Sequence, residues 1–507
     1  MTTTPAPYAA HRPVGNAAFD RGFLLATIPP QVLTARLAAQ PWGDQLSGWS
    51  RTWFGPATLW VDPLQNYATA REGAHAVGVM GFCIDPEAGL NHNQPIAEAL
   101  LAALITGRRT FLDHVDRLAG SFVIIWRHQA RIFVMQDAAA TRPVYYHRRP
   151  GDPAQTAAEP EAAGASDVGE AAATSHIQLL AALFDLPRDP RATAVFADTA
   201  YRGDPSRYLP GLITPFAGAL PLTANTELDL ARGTPLRFFP REPLAPRAFG
   251  PDLVAEIAAL MRAQADLVGA LGRPLHLAAT GGRDSRTSAV TFSGQPHLRY
   301  FSFHMPASGH LTPDTEIARR LAAIEGVPID IYNLEDYRDA DVWRAGQLRN
   351  PRSYWPAAAN CYWREFAPDA IHIRSTVSEI GRIFYTRRSA TAVTPEVLAR
   401  TYTATAFHDT ALCRDAMAEF IAWTGFDTAA FHGYDLYDMF YWEHRNAKWQ
   451  NVLCSEAEMA TDVFIPFNNR SLLKLFMAVP YENRRRADIH FALCDSLKPA
   501  FKSVPIV

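Results

Sequence analysis

The chain has 507 residues, 48% of them hydrophobic and 20% charged, with a formal net charge of -3. That length and mix predict a globular protein of two ordinary domains, and the near-neutral charge gives no support to a nucleic-acid or membrane-surface binder. No run approaches the ~18 apolar residues of a membrane span, and five scattered cysteines without a CxxC pair argue against a zinc site or a disulfide framework.

Residues 1–22 read as a flexible arm. Their opening MTTTPAPYAAHRPVG has no apolar core of the kind a signal peptide needs, so a cytoplasmic location is the expectation. From Phe23 to Tyr146 the pattern is mostly strand, with one clear helix near Pro95 to Thr106. Strand-like runs occupy His75 to Cys83, Ser121 to Trp126 and Ile132 to Gln136, and the last two have hairpin-like spacing. Residues 151–175 carry five carboxylates and no basic residue among Ala, Pro and Gly. Such a stretch cannot bury a core and is expected to be a mobile surface loop. An amphipathic helix follows from His176 to Leu186. The Pro-rich FFPREPLAPRAFGP places a domain boundary near residue 240.

Past that boundary, apolar residues at 253, 254, 257, 260, 261, 267, 268 and 271 have helical spacing. Leu275, Leu277 and Ala279 then alternate like a short strand, Thr280-Gly281-Gly282 is a tight turn, and a helix begins near Asp284 and Ser285. A strand that passes through a small polar turn into a helix presents backbone N–H groups to a phosphate, and paired glycines let the anion approach. Thr280 and Ser285 add hydroxyl donors. Asp284 repels phosphate unless Mg²⁺ lies between them, so a metal–nucleotide is the natural ligand. Further strands are expected at Leu298 to Phe303, Pro328 to Tyr332 and Ala370 to Arg374. Between the first two runs a helix, with Thr312 as N-cap and Pro313 at its first position. Strands alternating with helices predict a doubly wound parallel sheet, with its ligand crevice at the strands' C-terminal ends, where residues 280–285 fall.

The run TGGRDS resembles the S-G-G-x-D-S pyrophosphate loop of the asparagine synthetase-like ATP pyrophosphatases, with Thr280 in place of the first serine. The resemblance extends diffusely over residues 75–500. It implies an α/β fold in which residues 241–507 form a doubly wound sheet of the adenine-nucleotide α-hydrolase (PP-loop) type. Residues 23–240 would form an α+β, Ntn-hydrolase-like sandwich of the glutaminase kind. Arg142-Pro143-Val144-Tyr145-Tyr146 matches the Lys/Arg-Pro-x-Tyr-Tyr end of the glutaminase hairpin, and Leu209 to Leu222 its closing hairpin. ATP and Mg²⁺ are the implied ligands, held by Thr280, Gly281, Gly282, Arg283, Asp284, Ser285 and Arg286. Phe303 sits where relatives hold adenine from a strand end. Asp314 matches an aspartate opening the next helix, although a carboxylate there also stabilises the helix dipole.

Several positions depart from the family. Its glutaminase needs a cysteine after the initiator methionine, and this chain has Thr2; its Asn-Gly-Glu glutamine-holding segment is Met80-Gly81-Phe82 here. The expectation is a degenerate glutaminase fold without glutamine hydrolysis. The segment Ile373-Arg374-Ser375-Thr376-Val377-Ser378-Glu379 replaces the family's Gly-Glu-Gly-x-Asp-Glu. Glu379 is then a candidate Mg²⁺ ligand or catalytic base, or an ion-pair partner of Arg374 or Arg382. Asn468 and Asn469 stand for the family's Leu-Asp, and Glu443-x-Arg445 belongs to the same resemblance. Lys498 and Lys502 are the nearby substitutes for a C-terminal charge-neutralising lysine. The implied activity is an AMP- and pyrophosphate-forming ligase that joins a small-molecule or peptide carboxylate to an amine, with a homodimer left open. An intramolecular cyclase like those that form β-lactam rings or lasso peptides, a synthetase using ammonia or an amine carried by another chain, and a non-catalytic protein on a decayed synthetase scaffold are the alternatives.

Overall fold

A computed structural model describes residues 14–147, 169–204, 208–305 and 312–506. Thr2, residues 151–168 of the acidic loop and the side chain of Thr312 lie outside the described residues. Among the described residues, the first half supplies twelve strands. They are β1 (Phe23–Ala26), β2 (Ser50–Phe54), β3 (Ala57–Val61), β4 (Tyr67–Glu72), β5 (His75–Ile84) and β6 (Ala119–His128). β7 (Arg131–Gln136), β8 (Tyr145–His147), β9 (Ala172–Thr174), β10 (Ala219–Pro221), β11 (Thr226–Asp229) and β12 (Thr234–Arg237) follow. They build two antiparallel six-stranded sheets, ordered β10-β8-β9-β1-β3-β2 and β12-β11-β7-β6-β5-β4.

Alternation along β1 and β3 explains how the layers stack. Phe23, Leu25, Leu59 and Val61 share one core with Val77, Val79 and Ile125 of the other sheet. Leu24, Ala26 and Trp60 point the other way, onto the helices Pro30–Ala38 and Ile177–Phe184. Helices Asn93–Thr106 and Arg108–Arg117 cover the outer side of the second sheet. The result is a helix–sheet–sheet–helix sandwich.

The first half departs from expectation at four places. Residues 14–22 are not an arm: Val14, Ala17, Ala18 and Phe19 are buried in the core. Arg349 anchors them by donating to the carbonyls of Ala17, Ala18 and Asp20 at 3.2, 3.0 and 2.9 Å. The tail of the acidic loop is also ordered, because Ala172-Ala173-Thr174 forms β9 between β8 and β1; small side chains there fit between packed neighbours, although in sequence they look like low complexity. Leu209 to Leu222 is no hairpin: only Ala219–Pro221 is strand, paired with β8, and the hairpin is β11–β12. Helices Pro30–Ala38 and Arg108–Arg117 join the one foreseen.

The second half contains the five-stranded parallel sheet. Its strands are β13 (Leu275–Ala278), β14 (Leu298–His304), β15 (Ile329–Asn333), β16 (Ile371–Ile373) and β17 (Asp462–Phe464), in the order β15-β14-β13-β16-β17. The chain winds outward through β14 and β15, then returns to the other side of β13 for β16 and β17. The winding direction therefore reverses between β13 and β16, which opens a crevice at their C-terminal ends. β17 was not foreseen; it enters only after a long helical excursion that begins with Pro395–Tyr402.

Buried polar contacts join the halves. Asn468 donates to Asp137 Oδ1 at 2.8 Å and Thr141 Oγ1 at 3.1 Å, and accepts from the Ala139 amide at 2.9 Å. Asn469 caps the helix Arg470–Ala478 through the Leu472 amide at 2.7 Å. Arg237 grips Glu443 with two bonds of 2.6 and 2.7 Å. Met80-Gly81-Phe82 belongs to this packing too. Gly81 has φ +102°, and a Cβ there would meet the Ser121 carbonyl at 2.3 Å, while the Phe82 ring sits edge-on to Phe464 of β17.

Candidate active site at the reversal of the parallel sheet

β13 delivers the chain into the crevice at Thr280, and the helix Arg283–Thr291 leaves it. Side chains fix the turn between them. The Thr280 and Ser285 hydroxyls lie 2.7 Å apart, the Gly282 amide donates to Thr280 Oγ1 at 3.2 Å, and Ser285 Oγ donates to the Gly282 carbonyl at 3.1 Å. Asp314 closes the turn from the next helix, accepting from the Gly281 amide at 2.7 Å. The foreseen helix-terminal carboxylate thus also clamps the loop. A Cβ on Gly282 would meet only Thr280 Oγ1, at 3.4 Å, so this side of the turn is open. The first-turn amides of the helix have no acceptor within the helix itself. Those amides and the dipole make a fitting cradle for phosphate, bordered by the two hydroxyls, which can turn from each other and from the Gly282 carbonyl to donate to it.

The neighbouring strand brings the second part of the site. After β16 the backbone passes through Val377 at φ +76°, a left-handed position that is costly for a β-branched residue. The short turn Ser378–Ile380 that follows faces the loop. Ser378 Oγ donates to Asp284 Oδ1 at 2.6 Å, and Arg382 holds both Asp284 oxygens, Nε to Oδ1 at 3.0 Å and Nη2 to Oδ2 at 2.7 Å. Nη2 of the same guanidinium lies 3.8 Å from Glu379 Oε1. Glu379 Oε2 is buried and has no hydrogen-bond partner among the described residues. Of the two arginines foreseen beside Glu379, Arg382 is the one that reaches it. His490 Nε2 lies 3.6 Å from Asp284 Oδ1.

These contacts set the carboxyls apart. Burial pushes Asp284 up, but His490, the Arg382 fork and the Ser378 hydroxyl outweigh it and hold the carboxyl below its ordinary range. Glu379 goes the other way: burial and the charge of Asp284 raise it, with Arg382 opposing. Burial lowers His490 to about 4, so its imidazole is neutral near pH 7. Two adjacent carboxyls driven in opposite directions are the pattern of an acid–base site.

Divalent metal does not fit these residues. Both oxygens of Asp284 are engaged by Arg382 and Ser378, so the structure pairs this carboxylate with a guanidinium and does not present it to Mg²⁺. No cluster of three or more His, Cys, Asp or Glu side chains able to hold a metal occurs among the described residues. Asp284 and Glu379, expected as metal ligands, are instead two carboxylates around one arginine.

The remaining foreseen residues scatter. Phe303, one residue from the end of β14, packs against Trp355 and Tyr362 with ring centroids 5.4 and 6.0 Å away. Arg283 stays near the loop, its guanidinium 5.9 Å from the Phe491 ring. Arg286 is buried and turned away, donating to the carbonyls of Val504 and Pro505 at 2.5 Å each. Lys498 pairs with Glu325 at 3.0 Å and donates to Ser293 Oγ at 3.1 Å, past the far end of the loop's helix. Lys502 pairs with Asp495 at 2.8 Å on the surface. The structure therefore does not bring either lysine to the loop. Ser378 and His490 were missed. Ser378 is adjacent to Glu379 and was legible; His490 reaches the loop only through the tertiary fold.

No protein-family model matches the chain, and no curated protein matches it. Among solved structures, glutamine phosphoribosylpyrophosphate amidotransferase from B. subtilis, complexed with ADP and GMP, aligns over 81% of this chain and 75% of its own at 8% identity. Its TM-score of 0.23 is too low to carry an argument about this chain.

Proposed function

We propose that this chain is an ATP-dependent, AMP- and pyrophosphate-forming ligase that joins a carboxylate to an amine, on an asparagine synthetase-like scaffold of PP-loop and Ntn-hydrolase-like halves. One observation carries the reading: the phosphate-type loop lies where the parallel sheet reverses, and the next strand sets the raised, half-satisfied carboxyl of Glu379 beside it. In this scheme a substrate carboxylate attacks the α-phosphorus of ATP, and pyrophosphate leaves against the first-turn amides and the Thr280 and Ser285 hydroxyls. The amine then displaces AMP, and Glu379 takes its proton. No step is assigned to Mg²⁺ held by the protein. On this reading the sandwich half contributes no glutamine hydrolysis, since Thr2 stands in place of the family's cysteine and Met80-Gly81-Phe82 lacks the glutamine-holding carboxylate.

The test is substrate-dependent exchange of labelled pyrophosphate into ATP over a panel of carboxylic acids and peptides. Exchange with at least one acid supports adenylation; absence of exchange together with absence of ATP binding overturns the proposal. A second reading, a nucleotide-binding protein without catalysis, is favoured by the lysines. The chain has only four, at 448, 474, 498 and 502, and each is engaged elsewhere: with the Ile213 carbonyl, Glu242, Glu325 and Asp495. ATP binding without exchange across the whole panel is the result that selects it.

A further inference from the structure

We propose that Arg382 is the resident cation of the loop, standing where a divalent metal would otherwise be needed, so that the site takes the phosphates of a nucleotide free of metal. The proposal rests on the nucleotide reading above and adds how the charge is managed. A helix N-terminus with an aspartate at its second residue repels an anion unless that charge is neutralised. Here the neutralising group is covalently part of the chain. Arg382 makes a two-bond fork to Asp284 at 3.0 and 2.7 Å, the geometry in which arginine binds carboxylate best. The Ser378 hydroxyl satisfies Asp284 further at 2.6 Å. Glu379, 3.8 Å away, shares the same guanidinium.

The arginine is not exhausted by these contacts. A guanidinium carries five donors. Nε and Nη2 face the carboxylates, while Nη1 makes no hydrogen bond among the described residues, and the side chain is 24% exposed. The two Nη1 donors remain for a phosphate oxygen of a nucleotide on the loop. No lysine competes for this role, because all four have partners elsewhere. A metal ion would have to compete with a tethered guanidinium for an aspartate that already accepts three hydrogen bonds.

The test is equilibrium binding of ATP, pyrophosphate and inorganic phosphate to the full-length chain, in excess EDTA and in excess Mg²⁺, with Mn²⁺ alone titrated by electron paramagnetic resonance. Wild type should bind ATP with a Kd that changes by less than about threefold between the two conditions, and should show no stoichiometric Mn²⁺ site; a threefold change is under half of one charged hydrogen bond. Arg382→Gln should weaken binding in EDTA by about 10- to 100-fold, the loss of a hydrogen bond to a charged group. It should also acquire Mg²⁺ dependence and a Mn²⁺ site that Asp284→Asn removes. Arg382→Lys, which keeps the charge without the fork, should lie between, and serves if the glutamine variant does not fold. ATP binding to wild type only with Mg²⁺, or a wild-type Mn²⁺ site lost in Asp284→Asn, overturns the metal-free proposal and leaves the nucleotide reading standing. Failure of all three anions to bind wild type under either condition overturns both.

Discussion

Two glutamates, one buried and one largely so, show how differently the same side chain is treated in this molecule. Glu443, at the seam between the halves, has no exposure and is gripped by the Arg237 fork at 2.6 and 2.7 Å, with Asn225 donating at 3.1 Å. Glu379, in the crevice, has one distant guanidinium at 3.8 Å and an oxygen with no partner among the described residues. A buried carboxylate with its bonds made holds structure together; one without them is strained toward its protonated form. The family resemblance covers both positions, and partner geometry separates them. Completeness of partners, more than burial or charge, is what separates the two carboxylates.

The seam should break hardest. Glu443→Ala leaves the largely buried Arg237 guanidinium without its carboxylate, held only by the carbonyls of Phe239, Thr424 and Gly425, and should cost about 3 kcal/mol in chemical denaturation. ATP binding per folded molecule should be unchanged; a loss of binding with the fold intact would erase the distinction between seam and crevice.

Acid should loosen the crevice next. His490 is neutral in the folded state down to about pH 4, while the unfolded chain takes up that proton near pH 6.5. Between those values the unfolded state binds more protons, so stability falls as pH falls. That separation corresponds to roughly 3 kcal/mol from this residue alone. His490→Phe, which keeps a ring against Phe467 and Phe476, should flatten that part of the stability–pH curve. An unchanged acid limb would place the effect in other histidines.

Glu379→Gln addresses the crevice side directly. A carboxyl raised in the folded state contributes most below its unfolded pKa, and that contribution is lost as pH rises through the folded one. The glutamine variant should therefore be no less stable than wild type at pH 7, with the difference shrinking toward pH 4. Amide formation should fall about 100-fold or more, the range of a general base, while pyrophosphate exchange persists. Loss of stability at pH 7 with unchanged product formation would make Glu379 a second Glu443.

The smallest expected effect is on the loop. Ser285→Ala removes one donor from the phosphate cradle and should weaken ATP binding by about 1–2 kcal/mol, with melting temperature little changed. Equal ATP affinity in wild type and variant would remove the hydroxyl from the ligand's path.

The sequence by itself determined what depends on local patterning. Period-two alternation and turn residues located β5 to β7, β13, β14, β15 and β16 to within a few residues, and the strand–glycine–helix order of residues 275–289 located the crevice. Strands and helices alternating along the chain were enough to expect the parallel sheet, which the structure has, beside the two antiparallel sheets. What the sequence could not decide required partners from far along the chain. Residues 14–22 look like an arm until Arg349 satisfies their carbonyls, and Ala172-Ala173-Thr174 looks like low complexity until it lies between β8 and β1. β17 has three residues, too few for a periodic signal, and its place is set by β16. Asp284 reads as a metal ligand while only its own loop is in view. Arg382, 98 residues later, changes its charge balance, and such long-range electrostatics are fixed only when the tertiary fold closes.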